Sequence, residues 1–379
     1  MHTTLPRRFY ADGDFYRREL ERFYFNRWIC AGRADQIPNA GDYFTRTLAD
    51  ESVIVARDGS GDVHALFNVC RHRGTRICDQ AEGHFVDRIQ CPYHAWTYDL
   101  AGTLLAAPHM PPDFCKEEYP LHRAGCEVWD GHIFIHLAQR GRDGQNGRDG
   151  QNGRDGQDGR DGQDGLRGQL ADLPDRFAAY RMRDLRLGHR IVYDVRANWK
   201  LIVLNFNECL HCPTLHPSLN RLHHYLGADN VEPTSCYCGG AMGFKDGVET
   251  MSVDGKRRRA FLPGLDDSQR REVAYYSIYP NFLLSLHPDY MMTHTLWPRA
   301  HDRTEIVCEW HFHPDEMAKP GFRSDDAVAL WDETNREDWW IAAKSQAGIQ
   351  SRVYQPGPYS EREALLWSFD EIVRREADL

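Results

Sequence analysis

The chain has 379 residues, of which 41% are hydrophobic and 12% aromatic, and it carries a formal net charge of −10 at pH 7. That length predicts two or three globular domains, each large enough to bury a core. The acidic balance excludes a general nucleic-acid binder, which needs a basic face. No apolar run is long enough to predict a membrane-spanning helix.

The first residues lack an apolar signal core, so a cytoplasmic location is expected. In that compartment the 11 cysteines are expected as thiols or metal ligands rather than disulfides.

In chain order, residues 14–28 read as an amphipathic helix, with Tyr16, Leu20, Phe23, Tyr24 and Trp28 at helical spacing. It belongs to an N-terminal helical segment, 1–40, expected to pack on a later domain. From 41 to 138 short β-like runs are punctuated by Gly, Asp and Pro, which predicts a small antiparallel domain with loops between its strands.

Between Gly141 and Gly165 every third residue is glycine. The period is that of collagen, but the tract holds no proline, so a solvated linker over 139–168 is expected rather than a triple helix. Residues 169–379 read as an α+β domain. A strand is predicted over 190–195, and Asn198 is placed as N-cap of a helix starting at Trp199. Strands are predicted over 274–286, 291–297 and 305–312, and helix from about Ser324 onward.

Two matched Cys/His pairs carry the first chemistry: Cys70 with His72, and Cys91 with His94. Both sit in loops between β-like runs. Thiolates suit iron–sulfur clusters, and two histidines on one iron define a Rieske [2Fe–2S] centre. A Cys2His2 zinc site is the alternative, although zinc sites usually group like ligands together.

The segment around these pairs resembles a known family. Asn68 to Arg76 and Cys91 to Tyr98 are similar to the Rieske motif of Rieske non-haem iron oxygenases, in their large (alpha) subunit. The resemblance implies a small antiparallel β Rieske domain followed by a helix-grip catalytic domain, an antiparallel sheet with a long helix. An α+β chain results.

A Rieske cluster moves one electron at a time, and an oxygenase needs a second iron with open positions, for which two His and one carboxylate are the usual set. Glu208, His211 and His216 supply candidates. Glu208 and His211 are neighbours on a helical face. A regular helix would splay His211 and His216 by roughly 140°. They converge only if the helix breaks or bulges, and Pro213 lies in that gap. Cys209 and Cys212 flank His211 at a zinc-like spacing, but no second Cys pair fits.

The run from Glu208 to His216 resembles the oxygenase iron motif, which implies His211 and His216 as ligands of a mononuclear Fe(II). Asn335 to Trp340, followed by Gln346, Ala347 and Gly348, resembles the segment that supplies the carboxylate. Asp338 is assigned as that third ligand, with Glu337 and then Asp332 as competitors.

In the family Glu208 is the bridging carboxylate between a Rieske histidine of one subunit and an iron-binding histidine of the next. A homotrimer is thereby implied, with electrons from NAD(P)H delivered by a separate flavin-dependent reductase.

A glutamate at 208, with Asn198 to Val203 and Asn205 to Asn207, is similar to the oxygenases that act on choline, carnitine, glycine betaine and stachydrine. Leu204 departs from the glutamate often found there. N-methyl oxidation of a quaternary ammonium compound with O2 is therefore expected. Aromatic candidates for its pocket are Tyr275, Tyr276, Tyr279, Phe282, Tyr290, Trp297 and Trp310. Arg221, Arg257 and Arg258 are candidates for a carboxylate. Ring hydroxylation of an aromatic acid is the alternative on the same iron, and an electron carrier with a binding domain is the alternative of another class.

Overall fold

The computed structural model describes residues 2–138 and 165–377. The chain forms two units. Phe25–Gln169 makes one, and Met1–Tyr24 joins Leu170–Leu379 in the other. The glycine repeat lies outside the described residues apart from its final glycine.

In the unit Phe25–Gln169, short apolar, β-branched and aromatic runs bounded by turn residues form short antiparallel strands. These are β1 (Ile29–Arg33), β2 (Asp42–Leu48), β3 (Glu51–Arg57), β4 (Val63–Phe67), β5 (Glu82–His84), β6 (Ile89–Gln90), β7 (Thr97–Tyr98), β8 (Leu104–Ala106), β9 (Arg123–Trp129) and β10 (His132–His136). One sheet has the order β1-β10-β9-β4-β3-β2-β5, and β6-β7-β8 form a second, smaller one. A core of Ile54, Leu66, Ile89, Trp96, Tyr98 and Leu104 closes around Cys70 and Cys91.

Two expectations for this part need correction. Residues 25–40 do not continue the N-terminal helical segment. Ile29 to Arg33 pair with β10 instead, and the Trp28 backbone is held at both its N–H and its carbonyl by the Gln169 carboxamide, each at 2.8 Å. Sheet pairing overrides the helical periodicity of the apolar residues. The linker is also shorter than expected, because Leu166–Leu170 is already helical.

In the other unit, α1 (Gly13–Glu19) starts where the Asp12 carboxylate accepts from the N–H groups of Asp14 and Phe15, an N-cap that satisfies two otherwise unpaired donors. It runs on as a π-helical turn, Leu20–Tyr24, so the helix ends before Trp28. α2 (Trp199–Phe206) is capped by Asn198, whose side chain accepts from Lys200 N–H at 3.0 Å.

A single turn, α3 (Cys212–Leu215), follows α2. The strand β11 (Arg186–Val195), which precedes α2, and the later strands β12 (His223–Asn230), β13 (Tyr237–Phe244), β14 (Glu272–Ile278), β15 (Phe282–Leu286), β16 (Met291–Ala300) and β17 (Arg303–Phe312) build a seven-stranded antiparallel sheet in the order β11-β17-β16-β15-β14-β13-β12. α4 (Asp325–Ile349) and α5 (Ala364–Ala377) complete the unit. No described helix is long and apolar enough to cross a membrane.

α2 and α4 pack together. Gln346 of α4 accepts from the Asn198 N–H and donates to the Tyr10 carbonyl, each at 3.0 Å. α1 reaches the same helix pair through a fully buried ion pair: Lys200 Nζ lies 2.6 Å and 2.9 Å from the two Glu19 carboxylate oxygens. The Trp199 indole also donates to Glu19, at 2.8 Å. Tyr24 meets Trp199 edge-on, and Phe23 lies tilted against the same ring. The N-terminal residues up to Tyr24 thus share the core of this unit.

Candidate functional site

The helix expected through Glu208, His211 and His216 is interrupted. α2 stops at Phe206, and Asn207 folds back, its carboxamide donating to the Val203 carbonyl at 2.7 Å. His211 then stands just before α3 and His216 just after it, with Pro213 in its first turn. The break therefore falls earlier than the Pro213 gap, and Glu208 lies in the turn rather than on a helix. One turn separates the imidazoles, and their ring centroids come within 5.0 Å at an interplanar angle of 79°.

α4 brings the carboxylates. Asp338 Oδ1 is 2.9 Å from His216 Nε2 and 3.4 Å from His211 Nε2. The opposite nitrogens are already committed: His211 Nδ1–H donates to Glu208 at 2.5 Å, and His216 Nδ1–H donates to Glu337 at 2.6 Å. Glu208 also accepts from the Leu210 N–H. Asp332 lies elsewhere, accepting from the Tyr193 hydroxyl at 2.8 Å and from Arg336 at 3.0 Å.

This donor set fits a cation. In the neutral tautomer fixed by Glu208 and Glu337, both Nε2 lone pairs face a carboxylate oxygen with no proton between them, and a divalent metal satisfies all three. Without a metal the same geometry binds protons. Burial opposes it, but Asp338 and Glu208 outweigh burial and raise His211 to about 9. His216 is raised as well, against burial, by Asp338 and Glu337. Burial pushes the Asp338 carboxyl up, yet the two imidazoles hold it below its ordinary value.

His211, His216, Asp338 and Glu208 line a cavity of 320 Å3, within the range of small-molecule sites. Of the seven aromatic residues picked out by sequence, Tyr275 alone lines it. Phe206, Tyr225 and Trp331 also do, and pattern did not single them out. Trp331, Thr334 and Asp338 recur at i, i+3 and i+7 on α4, and that helical spacing is the signal for Trp331. At Gly239 a Cβ would meet the Tyr275 carbonyl oxygen at 2.2 Å, so glycine lets β13 approach β14 closely at the cavity wall.

Arg221, Arg257 and Arg258 do not line the cavity. Arg258 pairs with Asp254 at 2.7 Å, and Arg257 lies over the Phe261 ring. Arg362 is the one Lys or Arg among the lining residues.

The cysteine expectation is overturned at one place. Cys209 and Cys212 form a disulfide. The turn after Asn207 brings their Cα atoms to 5.0 Å, inside the range that a disulfide spans. None of the other described cysteines is in a disulfide.

In the other unit, Cys70 and His72 follow β4, and Cys91 and His94 lie between β6 and β7. Each pair sits on a tight turn: Gly74 N–H bonds to the Cys70 carbonyl and Ala95 N–H to the Cys91 carbonyl. Gly74 and Ala95 take positive φ of 72° and 56°. The two cysteines are buried, and the His72 and His94 rings lie 4.7 Å apart.

Trp96 stacks on His72 at 4.8 Å. The Tyr98 hydroxyl lies 3.4 Å from Cys70 Sγ. His72 Nδ1 is buried without a hydrogen-bond partner. Two buried sulfurs beside two imidazoles, one with an orphaned nitrogen, fit a Cys2His2-ligated cluster.

Residues 27–123 match the Rieske [2Fe–2S] domain, and residues 182–378 match the ring hydroxylating alpha subunit (catalytic domain). The glycine betaine monooxygenase oxygenase subunit of Pseudomonas aeruginosa (strain UCBPP-PA14) is 29% identical over 94% of this chain and 85% of its own length. The carnitine monooxygenase oxygenase subunit of Escherichia coli (strain K12) is 31% identical over 57% of this chain and 53% of its own.

The solved quaternary ammonium Rieske monooxygenase CntA in complex with L-carnitine superposes with a TM-score of 0.76 at 21% identity, covering 99% of this chain and 96% of that one. A catalytic domain over more than half of the sequence leaves the simple electron carrier without support. The chain belongs to the ring-hydroxylating alpha-subunit family of Rieske oxygenases, with a Rieske [2Fe–2S] domain and the family's catalytic domain for mononuclear iron.

Proposed function

We propose that this oxygenase hydroxylates an N-methyl group of a small quaternary ammonium compound such as glycine betaine. The observation that carries the reading is the convergence of His211 Nε2 and His216 Nε2 on Asp338 Oδ1 in a cavity walled by Phe206, Tyr275 and Trp331. His211, His216 and Asp338 hold the Fe(II), and Cys70, Cys91, His72 and His94 hold the cluster. When bound, the two iron centres supply one-electron transfer and the dioxygen chemistry that oxidises a C–H bond.

The chain's own groups do the rest. Glu208 and Glu337 fix the imidazole tautomers and keep both Nε2 atoms turned inward. A quaternary ammonium has no N–H to donate, so aromatic faces and nearby carboxylates are what can recognise it. Tyr275, Trp331 and Phe206 supply the faces, and Glu208 and Asp338 the negative charge. Hydroxylation of one N-methyl carbon leaves a hemiaminal that collapses to formaldehyde and the demethylated amine. The named activities of the relatives support this reading over ring hydroxylation of an aromatic acid.

Glu208 also serves as the carboxylate between His211 and a Rieske histidine of a neighbouring subunit in a homotrimer, fed by a separate flavin-dependent reductase in the cytoplasm. A structural relative described through inter-subunit electron transfer supports that arrangement.

The test supplies the purified protein with a reductase and NADH. Oxygen uptake and formaldehyde release are followed with glycine betaine, carnitine, choline and aromatic acids. Equimolar formaldehyde with a quaternary ammonium substrate is the expected result. Formaldehyde-free turnover of an aromatic acid overturns the reading.

A further inference from the structure

We propose that Cys209 and Cys212 are a dithiol–disulfide couple that decides whether the Cys212 sulfur joins His211 and His216 around the metal. The inference goes beyond the proposed reaction and rests only on the reading of this site as a metal centre. Both cysteines line the same cavity as the imidazoles, and the segment they close, Cys209 to Cys212, contains His211. Cys212 Sγ is 4.0 Å from His211 Nε2. The ligand atoms of His211, Cys212 and His216 all lie within 4.8 Å of one another. Ligands about 2.0–2.3 Å from a tetrahedral metal sit about 3.5 Å apart, so side-chain rotation and a small shift of the turn bring the sulfur into the set.

In the disulfide, the Cys212 sulfur carries no charge and is a poor ligand. Reduced, it ionises on binding a metal and becomes a soft thiolate donor. That biases the site towards zinc or cobalt over iron and fills a position that an oxygenase keeps open.

Oxidation balances with a hydroperoxide as the acceptor. The two thiols lose two protons and two electrons as the S–S bond forms, and the O–O bond breaks to give water and an alcohol, or two waters from hydrogen peroxide. Cys209 is half-buried at the cavity wall, which gives the oxidant the route that a substrate takes. The couple thus places a record of peroxide exposure directly on the metal ligand set.

The experiment removes the mononuclear iron from the full-length protein with its Rieske cluster in place, loads cobalt(II), and reads the cobalt K-edge X-ray absorption, to which cluster iron does not contribute. After phosphine reduction, wild type gains one sulfur scatterer per cobalt at about 2.3 Å. After hydrogen peroxide treatment, with the disulfide verified by mass, it shows nitrogen and oxygen only. Reduced Cys212→Ser loses the sulfur and reduced Cys209→Ser keeps it. Nitrogen and oxygen alone in reduced wild type, or a sulfur that persists in the disulfide form, overturns the couple. Cobalt bound in neither state overturns the metal centre together with it.

Discussion

His216 donates its Nδ1 proton to Glu337 at 2.6 Å, on the ring edge opposite the nitrogen that faces Asp338 at 2.9 Å. The two adjacent acids of α4 therefore grip the two ends of one imidazole. A carboxylate behind a metal-bound histidine fixes its tautomer and raises its basicity, and losing it typically lowers metal affinity 10- to 100-fold. Glu337→Ala is expected to lose mononuclear iron to a chelator at about that factor lower concentration, with Glu337→Gln in between. Chelator sensitivity equal to wild type in both variants would remove Glu337 from the site.

Glu208 occupies the equivalent place behind His211. Glu208→Gln keeps an acceptor for the Nδ1 proton but loses the charge. The variant is expected to retain three irons per chain and a normal Rieske spectrum, while substrate-coupled turnover falls by at least 100-fold. Full activity with full iron content would sink the bridging role.

The Glu19–Lys200 pair predicts a stability effect far from the cavity. Lys200 is buried, which lowers its pKa against the pull of Glu19. Lys200→Met leaves Glu19 charged and unpaired in the interior, a loss of about 3–5 kcal/mol. Adding Glu19→Gln removes the stranded charge, so the double variant is expected to melt above the single one in calorimetry. Equal melting temperatures would show that the pair is not coupled.

Asp370 predicts a pH dependence. Burial raises its carboxyl from 3.8 to about 7, against Tyr359, Lys200 and Arg374, and the Tyr359 hydroxyl donates to it at 2.7 Å. The native chain holds this proton where the unfolded chain has lost it. The group's contribution to stability is thus present below pH 4 and declines as pH rises through 7. Asp370→Asn is expected to raise Tm relative to wild type by a margin that widens from pH 5 to pH 7 and levels off near pH 8. A margin independent of pH would contradict the shift.

Much of the site was legible in the sequence because its spacing is short. Cys70, His72, Cys91 and His94 are separated by two or three residues within each pair, and the geometry of a tight turn does the remaining work. The need for a helix break between His211 and His216 was legible too, but not its place. Asn207 ends α2 by bonding back to Val203, a local competition that apolar periodicity does not report. Glu337 and Asp338 could not be told apart from pattern. They are adjacent on one helix, and what separates them is which nitrogen of His216 each one faces.

The Cys209–Cys212 disulfide runs against the expectation because only the expected compartment argued for thiols. β12 and β13 escaped notice for another reason: His223–Asn230 is an edge strand whose residues after His223 are exposed, and Tyr237–Phe244 is rich in glycine, so neither shows the alternation of a half-buried strand.

The ion pair that ties α1 to α2 joins residues 181 positions apart, and the whole Phe25–Gln169 unit lies between them in the chain. During synthesis at about 5–20 residues per second, Glu19 leaves the ribosome roughly 10–35 s before Lys200 does. In that interval Leu20, Phe23 and Tyr24, all buried in the finished protein, have no core to enter. The intervening unit, by contrast, is contiguous and can complete itself. The first segment of the chain to be made is therefore among the last to find its place, because α5, which packs on it, is made last; nascent chains halted before residue 199 should recruit a holdase chaperone through that N-terminal segment, while released full-length chains should not.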